Sequence, residues 1–176
     1  YEQGLPADTA GSPLSEAVSL GVHESQSRFW ENCIGRSELF WDKNYQLLQS
    51  EFGSALDGIS SRDFYTLVNR VEPSFIRVDA DEITYNMHIV LRYEVEKALF
   101  GGDIASGEIE ELWNSKMSDY LGIVPSNPLE GFMQDVHWSA GLFGYFPTYT
   151  LGNMNAAQIF DAIKRDIPDF ESKMMS

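Results

Sequence analysis

The sequence predicts a mainly α-helical fold, and three observations carry that reading. Apolar residues recur at helical spacing over long stretches, residues of helix-starting type stand before those stretches, and glycines close them. No persuasive hairpin, internal repeat or low-complexity tract interrupts the series. At 176 residues, with 43% hydrophobic and 13% aromatic content, the chain is long and apolar enough for a single domain with a sizeable core.

The elements follow in order. Residues 7–18 mix small and polar residues with Pro13 and suit a loop. A first helix is expected from about Ser19 to Ile34, with Gly35 as its stop. A second, from about Ser37 to Phe52, begins at a good capping residue and carries Leu39, Phe40, Leu47 and Leu48 at helical spacing. Gly53 and Gly58 then frame a turn. A short helix from Ser60 or Ser61 to about Val71 has Phe64, Leu67, Val68 and Val71 on its apolar face, Asp63 near its positive end and Pro73 beyond it. The strongest periodicity runs from about Asp81 to Phe100, where Ile83, Met87, Val90, Leu91, Val95 and Leu99 form a stripe. Asp79 with Glu82 makes a capping-box-like start there, and Gly101-Gly102 an end. Another helix, about Gly107 to Leu121, carries Ile109, Leu112, Trp113, Met117 and Tyr120 and stops at Gly122. Residues 123–152, rich in Gly, Pro and aromatics, are irregular, with a turn or short helix over Gly141 to Tyr149. Asn153 is expected to cap a last helix to about Arg165, and Pro168 to open one more. Tyr1 to Pro6 reads as the end of a helix stopping at Gly4, and Pro168 to Met175 as a helix interrupted before it closes, so both ends are expected to be cuts in a longer chain.

Charge narrows the partners. Twelve Lys and Arg stand against 27 Asp and Glu, a formal charge of −15, which opposes binding to phosphate backbones and anionic lipid. Nucleic acid and membranes are therefore not expected as partners, and no uninterrupted apolar run reaches transmembrane length. A single cysteine, Cys33, excludes an internal disulfide and a multi-cysteine zinc knuckle, and it fits a cytoplasmic setting.

Two polar clusters break the helical pattern: His23-Glu24-Ser25-Gln26-Ser27 and Gln134-Asp135-Val136-His137-Trp138. A helical carboxylate such as Glu24 is the type of group that serves as third zinc ligand where two His of an HExxH helix supply the others. No HExxH occurs between Tyr1 and Ser176. The competing reading of Glu24 is a solvated carboxylate paired with Arg28 one turn later. His23, adjacent to it, diverges by about 100° around a helix, which makes it a supporting hydrogen-bonder rather than a second ligand.

Three stretches together resemble the thermostable (Taq-type) zinc metallocarboxypeptidases, a mostly helical gluzincin family: Gly21 to Asn32, Ile76-Arg77-Val78-Asp79-Ala80-Asp81, and Gly131 to Trp138. The segment Phe143 to Asn153 continues the likeness. The resemblance implies a peptidase that releases single residues from peptide C-termini, with zinc or another divalent metal as cofactor, peptides as substrates and a homodimer as the usual assembly. In that family the HExxH helix immediately precedes a segment like Tyr1 to Pro6, and a DxRxT motif comes earlier; neither is in this chain. Residues 1–176 are therefore expected to be a single helical fragment forming one wall of a peptidase cleft, inactive by itself and unsuited to hold zinc tightly. A non-catalytic helical binding or interaction module is the alternative.

On that resemblance Glu24 is the metal ligand, His137 with Tyr145 and Tyr149 are catalytic, and Arg77, Gln134 and Asp135 bind substrate. Each has a plainer reading. Arg77 has the planar fork that suits a terminal carboxylate, but a salt bridge to Asp79 or Asp81 would equally fix its turn. An imidazole at His137 can donate to an oxyanion, yet a lone histidine is more often a satisfied core group. The tyrosines can act through their phenols or simply fill core. Asp79 reads as a helix cap, and His88 as a packed residue.

Overall fold

A computed structural model describes residues 1–174, and among these every regular element is helical. Met175, the last residue of the expected C-terminal helix, lies outside the described residues. The chain groups into two compact units, Tyr1–Arg70 with Leu151–Ser176, and Val71–Thr150.

In the first unit α1 (Leu20–Arg28) starts where the Ser19 hydroxyl accepts the Val22 amide. The helix then widens into a π-helical stretch, Phe29–Gly35, without breaking. That stretch carries Phe29 and Ile34, which with Ala156 form a buried cluster joined by Phe40, Phe160, Ile163 and Phe170. Ser37 caps α2 (Glu38–Phe52), and Gly53, at φ +51°, ends it. Ser60 and Asp63 close a reciprocal capping box on α3 (Ser61–Val68). Trp41 and Phe64 meet at 4.5 Å between ring centroids, and the Tyr45 hydroxyl donates to the Ile59 carbonyl, which ties α2 to α3. The third helix is shorter than expected: Val71 lies outside it and is exposed, as is Leu67. At the N-terminus a 3₁₀ turn, Glu2–Gly4, stands where a helix end was anticipated.

The second unit is built on α4 (Tyr85–Gly101) and α5 (Ile109–Leu121), each ended by a left-handed glycine, Gly102 and Gly122. Leu91, Val95, Trp113, Met117 and Leu121 form their shared core. Two expectations for α4 need correction. The helix begins at Tyr85, because Asp81 rather than Asp79 organises its approach. The Asp81 carboxylate accepts from the amides of Ile83, Thr84 and Glu72 and from the Thr84 hydroxyl, at 2.7 to 3.1 Å. Asp79 is exposed. The buried face also differs from the apolar stripe: Ile83 and Met87 are exposed, whereas His88, Arg92 and Glu96 are buried one turn apart.

The last long helix, α6 (Pro147–Asp166), starts six residues before Asn153, at a proline whose fixed φ suits the first helical position. Asn153 is thus interior to the helix, and its side-chain oxygen accepts from Arg28 Nε at 2.6 Å instead of capping. A short α7 (Phe170–Met174) follows.

Candidate active site

In the first unit α1 presents Glu24 half-buried. No group among the described residues donates a hydrogen bond to its carboxylate or forms an ion pair with it. Arg28, the expected i+4 partner, instead bonds Glu31 at 2.7 Å and Asn153. What Glu24 does touch is α6: a Cβ built on Gly152 would lie 2.9 Å from Glu24 Cγ and 3.1 Å from its Cβ. His23 faces the N-terminal segment, with Nε2 3.3 Å from Glu2 and its ring 5.3 Å from that of Tyr1. Among the described residues no three His, Cys, Asp or Glu side chains converge. Glu24 therefore fits a divalent metal as a single uncommitted hard donor.

In the second unit Gln134, Asp135, His137 and Trp138 lie in the turns between α5 and α6, and each is fixed differently. Gln134 stitches two segments together: its amide nitrogen donates to the carbonyls of Phe75, Glu130 and Gly131, and its oxygen accepts the Arg77 amide at 2.7 Å. Asp135 sits between two buried arginines. Arg77 reaches it through Nη2 at 2.6 Å and Nε at 3.1 Å, and Arg92 through Nε at 2.8 Å. Arg92 Nη2 is also 2.7 Å away, too poorly aligned for a hydrogen bond. The Arg77 partner is thus Asp135, neither Asp79 nor Asp81, with the Tyr85 hydroxyl accepting from Nη1 at 2.9 Å.

The charges reflect this packing. Burial pulls the Arg92 guanidinium down to about 10, against the attraction of Asp135. Burial pushes Asp135 upward, but the bonds and charges of the two arginines outweigh it and hold the carboxyl below its ordinary value. Arg92 also lies over the Trp113 ring at 4.6 Å and the Phe146 ring at 5.2 Å, where its weakly hydrated cation is well suited.

His137 is buried beside this cluster. Its Nε2 is 3.0 Å from the Tyr149 hydroxyl, and its ring lies 4.4 Å from Phe146 and 5.4 Å from Tyr145. Its Nδ1 stands 3.8 Å from Asp135, beyond hydrogen-bond reach. Burial lowers the His137 pKa, with Arg77 and Arg92 adding to that effect and Asp135 opposing it, so the ring is held neutral at pH 7. Tyr145 is half-buried, 5.5 Å from Tyr149 between ring centroids. The second unit thus gathers Arg77, Gln134, Asp135, His137, Tyr145 and Tyr149 around one another, while Glu24 belongs to the first.

Sequence reasoning missed Arg92 and Glu96. Glu96 is buried and accepts from Trp138 Nε1 at 2.6 Å and from the Gly144 amide at 2.9 Å, so it holds both roots of the loop that follows His137. The available signal was the spacing: His88, Arg92 and Glu96 are four apart within an otherwise apolar helix.

His88 has no exposed surface, and neither ring nitrogen has a hydrogen-bond partner among the described residues. Burial first, then the charges of Arg92 and Arg77, lower its pKa from 6.5 to about 4, against Asp135 and Asp81. Above pH 6.5 the ring is neutral folded or unfolded and contributes no pH dependence. Between 6.5 and 4 only the unfolded chain takes the proton, so stability falls with pH, by about 2–3 kcal/mol across the window. Melting temperatures between pH 7.5 and 4.5 should therefore drop more steeply for the natural chain than for His88→Asn; parallel profiles would show that His88 is not the titrating group.

A family model described as carboxypeptidase Taq (M32) metallopeptidase matches residues 1–176. Thermostable carboxypeptidase 1 of Thermus thermophilus is 52% identical over 173 residues, covering 98% of this chain and 34% of that protein. Carboxypeptidase 1 of Bacillus subtilis is 47% identical over 172 residues, with the same coverage of each. The solved M32 carboxypeptidase of Deinococcus radiodurans superposes with a TM-score of 0.91 at 40% identity, over 99% of this chain and 35% of that one. The chain thus spans about a third of the length of the curated relatives it matches.

Proposed function

This chain belongs to the carboxypeptidase Taq (M32) metallopeptidase family, and we propose that within the whole protein it supplies part of a zinc-dependent active site that releases single residues from peptide C-termini. The observation that carries the reading is Glu24: a half-buried helical carboxylate, inside the His23–Ser27 motif, to which no described group donates. When bound there, a divalent ion, zinc in this reading, supplies Lewis-acid chemistry at the scissile carbonyl.

The chain's own residues do the rest of the work assigned to it. Glu24 provides one ligand. His137, kept neutral by burial, bonds the Tyr149 hydroxyl and fixes where that phenol points. Tyr149, with Tyr145 beside it, donates toward the negative charge that develops on the carbonyl oxygen. Arg77, Gln134 and Asp135 are expected at the substrate on resemblance, but their polar atoms already serve one another's segments. In this reading they hold the His137 loop in place instead of touching the peptide. Peptide substrates, a cytoplasmic setting and a homodimeric assembly belong to the same proposal. Among the described residues no helix is long and apolar enough to cross a membrane.

The testing experiment compares this chain with the whole protein for bound metal and for release of a C-terminal residue from an N-terminally blocked peptide. Activity confined to the whole, metal-loaded protein supports the reading. Release by this chain alone overturns the inactivity assigned to it, and inactivity of both with metal bound favours a non-catalytic module. In the active protein Tyr149→Phe should lower kcat by about 10²–10³ with KM little changed, the effect of losing one preorganised oxyanion donor. An unchanged kcat would remove Tyr149 from the chemistry.

A further inference from the structure

We propose that Gly152 is a positioning residue for the metal-binding carboxylate, its missing side chain being the space in which the stem of Glu24 lies. The inference rests on the assignment of Glu24 above. Gly152 is interior to α6, where glycine weakens a helix, so its presence needs a reason. The backbone supplies none: Gly152 is not among the residues at positive φ. Space does. A Cβ at Gly152 would stand 2.9 Å from Glu24 Cγ, 3.1 Å from its Cβ and 3.3 Å from its backbone carbon. The last two atoms are fixed by α1, so an added methyl must either rotate Cγ about the side-chain bond or push the helices apart. Either response moves the carboxylate.

Neighbouring contacts leave little slack. Arg28, one turn after Glu24, bonds Asn153, the residue after Gly152, at 2.6 Å. Ser25 and Ala156 are fully or almost fully buried. Gly152 thereby acts on the metal through Glu24, as outer-sphere partners that orient a ligand do.

The test uses the whole protein and Zn²⁺ itself, with affinity read by competition against a fluorescent chelator and the metal-free protein melted in parallel. Gly152→Ala should weaken Zn²⁺ binding by about 10–100-fold. Gly107→Ala, at a glycine with open space around it, should leave affinity unchanged. Glu24→Gln separates the two claims. If it leaves Zn²⁺ affinity intact, the assignment of Glu24 fails, and if it weakens binding while Gly152→Ala does not, the positioning role fails. A double variant guards against simple misfolding. Glu24→Ala removes the nearest clashing atom, so any melting temperature lost by Gly152→Ala should be partly recovered when the two are combined. Equal loss with and without Glu24 would mean that Gly152 serves the helix and not the carboxylate.

Discussion

Replacing Asp135 by alanine should lower the stability of the protein by about 3–5 kcal/mol, the usual result of removing one member of a buried ion pair and leaving its partner charged. The effect should fall at the upper end because two cations, Arg77 and Arg92, share this one carboxylate, and their residues are 5% and 0% exposed. Neither can move to water without unpacking Tyr85, Trp113 or Phe146. Chemical denaturation of the natural chain and Asp135→Ala measures the loss. Pairing Asp135→Ala with Arg92→Met should return only part of it, because Arg77 stays buried without its carboxylate; adding Arg77→Met should return more, since replacing a whole buried charge cluster with apolar groups can be nearly neutral. A loss below about 1 kcal/mol, in the range of exposed pairs, would mean that the arginines find water and that the cluster is not a dry scaffold.

Glu24→Ala in the whole protein should reduce metal affinity by more than the ~10–100-fold that outer-sphere partners typically cost, and peptidase activity should fall with it. Stability of the metal-free protein should change little, because no described group donates to the carboxylate and deleting it orphans no partner. That combination distinguishes a ligand from a structural carboxylate. Metal content after dialysis against a chelator, measured beside a melt of the metal-free protein, gives both numbers. Retained metal with lowered stability would reverse the assignment.

How far the sequence could be read depended on how distant each determinant was. Ser19, Ser37 and the Ser60–Asp63 box lie within three residues of the amides they satisfy, so the starts of the first three helices were legible. Gly102 and Gly122 end their helices by local backbone conformation and were equally readable. The start of α4 was misplaced because Asp79 and Asp81 look alike in sequence, and only folding brings the Glu72 amide to Asp81. The buried face of α4 was misjudged because Arg92 and Glu96 count as polar until Asp135, Trp138 and Gly144 are known to meet them. The candidate site residues were singled out through three motifs that resemble one family. Their arrangement was not, since the partner of Arg77 lies 58 positions away.

The carboxylate of Glu96 has a consequence for motion. By accepting from Trp138 and Gly144 together, it turns the intervening loop into a ring closed through a side chain. The tip, from Ser139 to Phe143, is exposed, with the Leu142 amide bonded back to the His137 carbonyl at 2.8 Å. The roots cannot separate unless a buried charge and an indole N–H lose each other, so the loop does not fray open residue by residue. It parts from α4 as a unit or not at all, which makes its opening rare and cooperative. The surface beside His137 is therefore held in one arrangement by a group that lies on another helix.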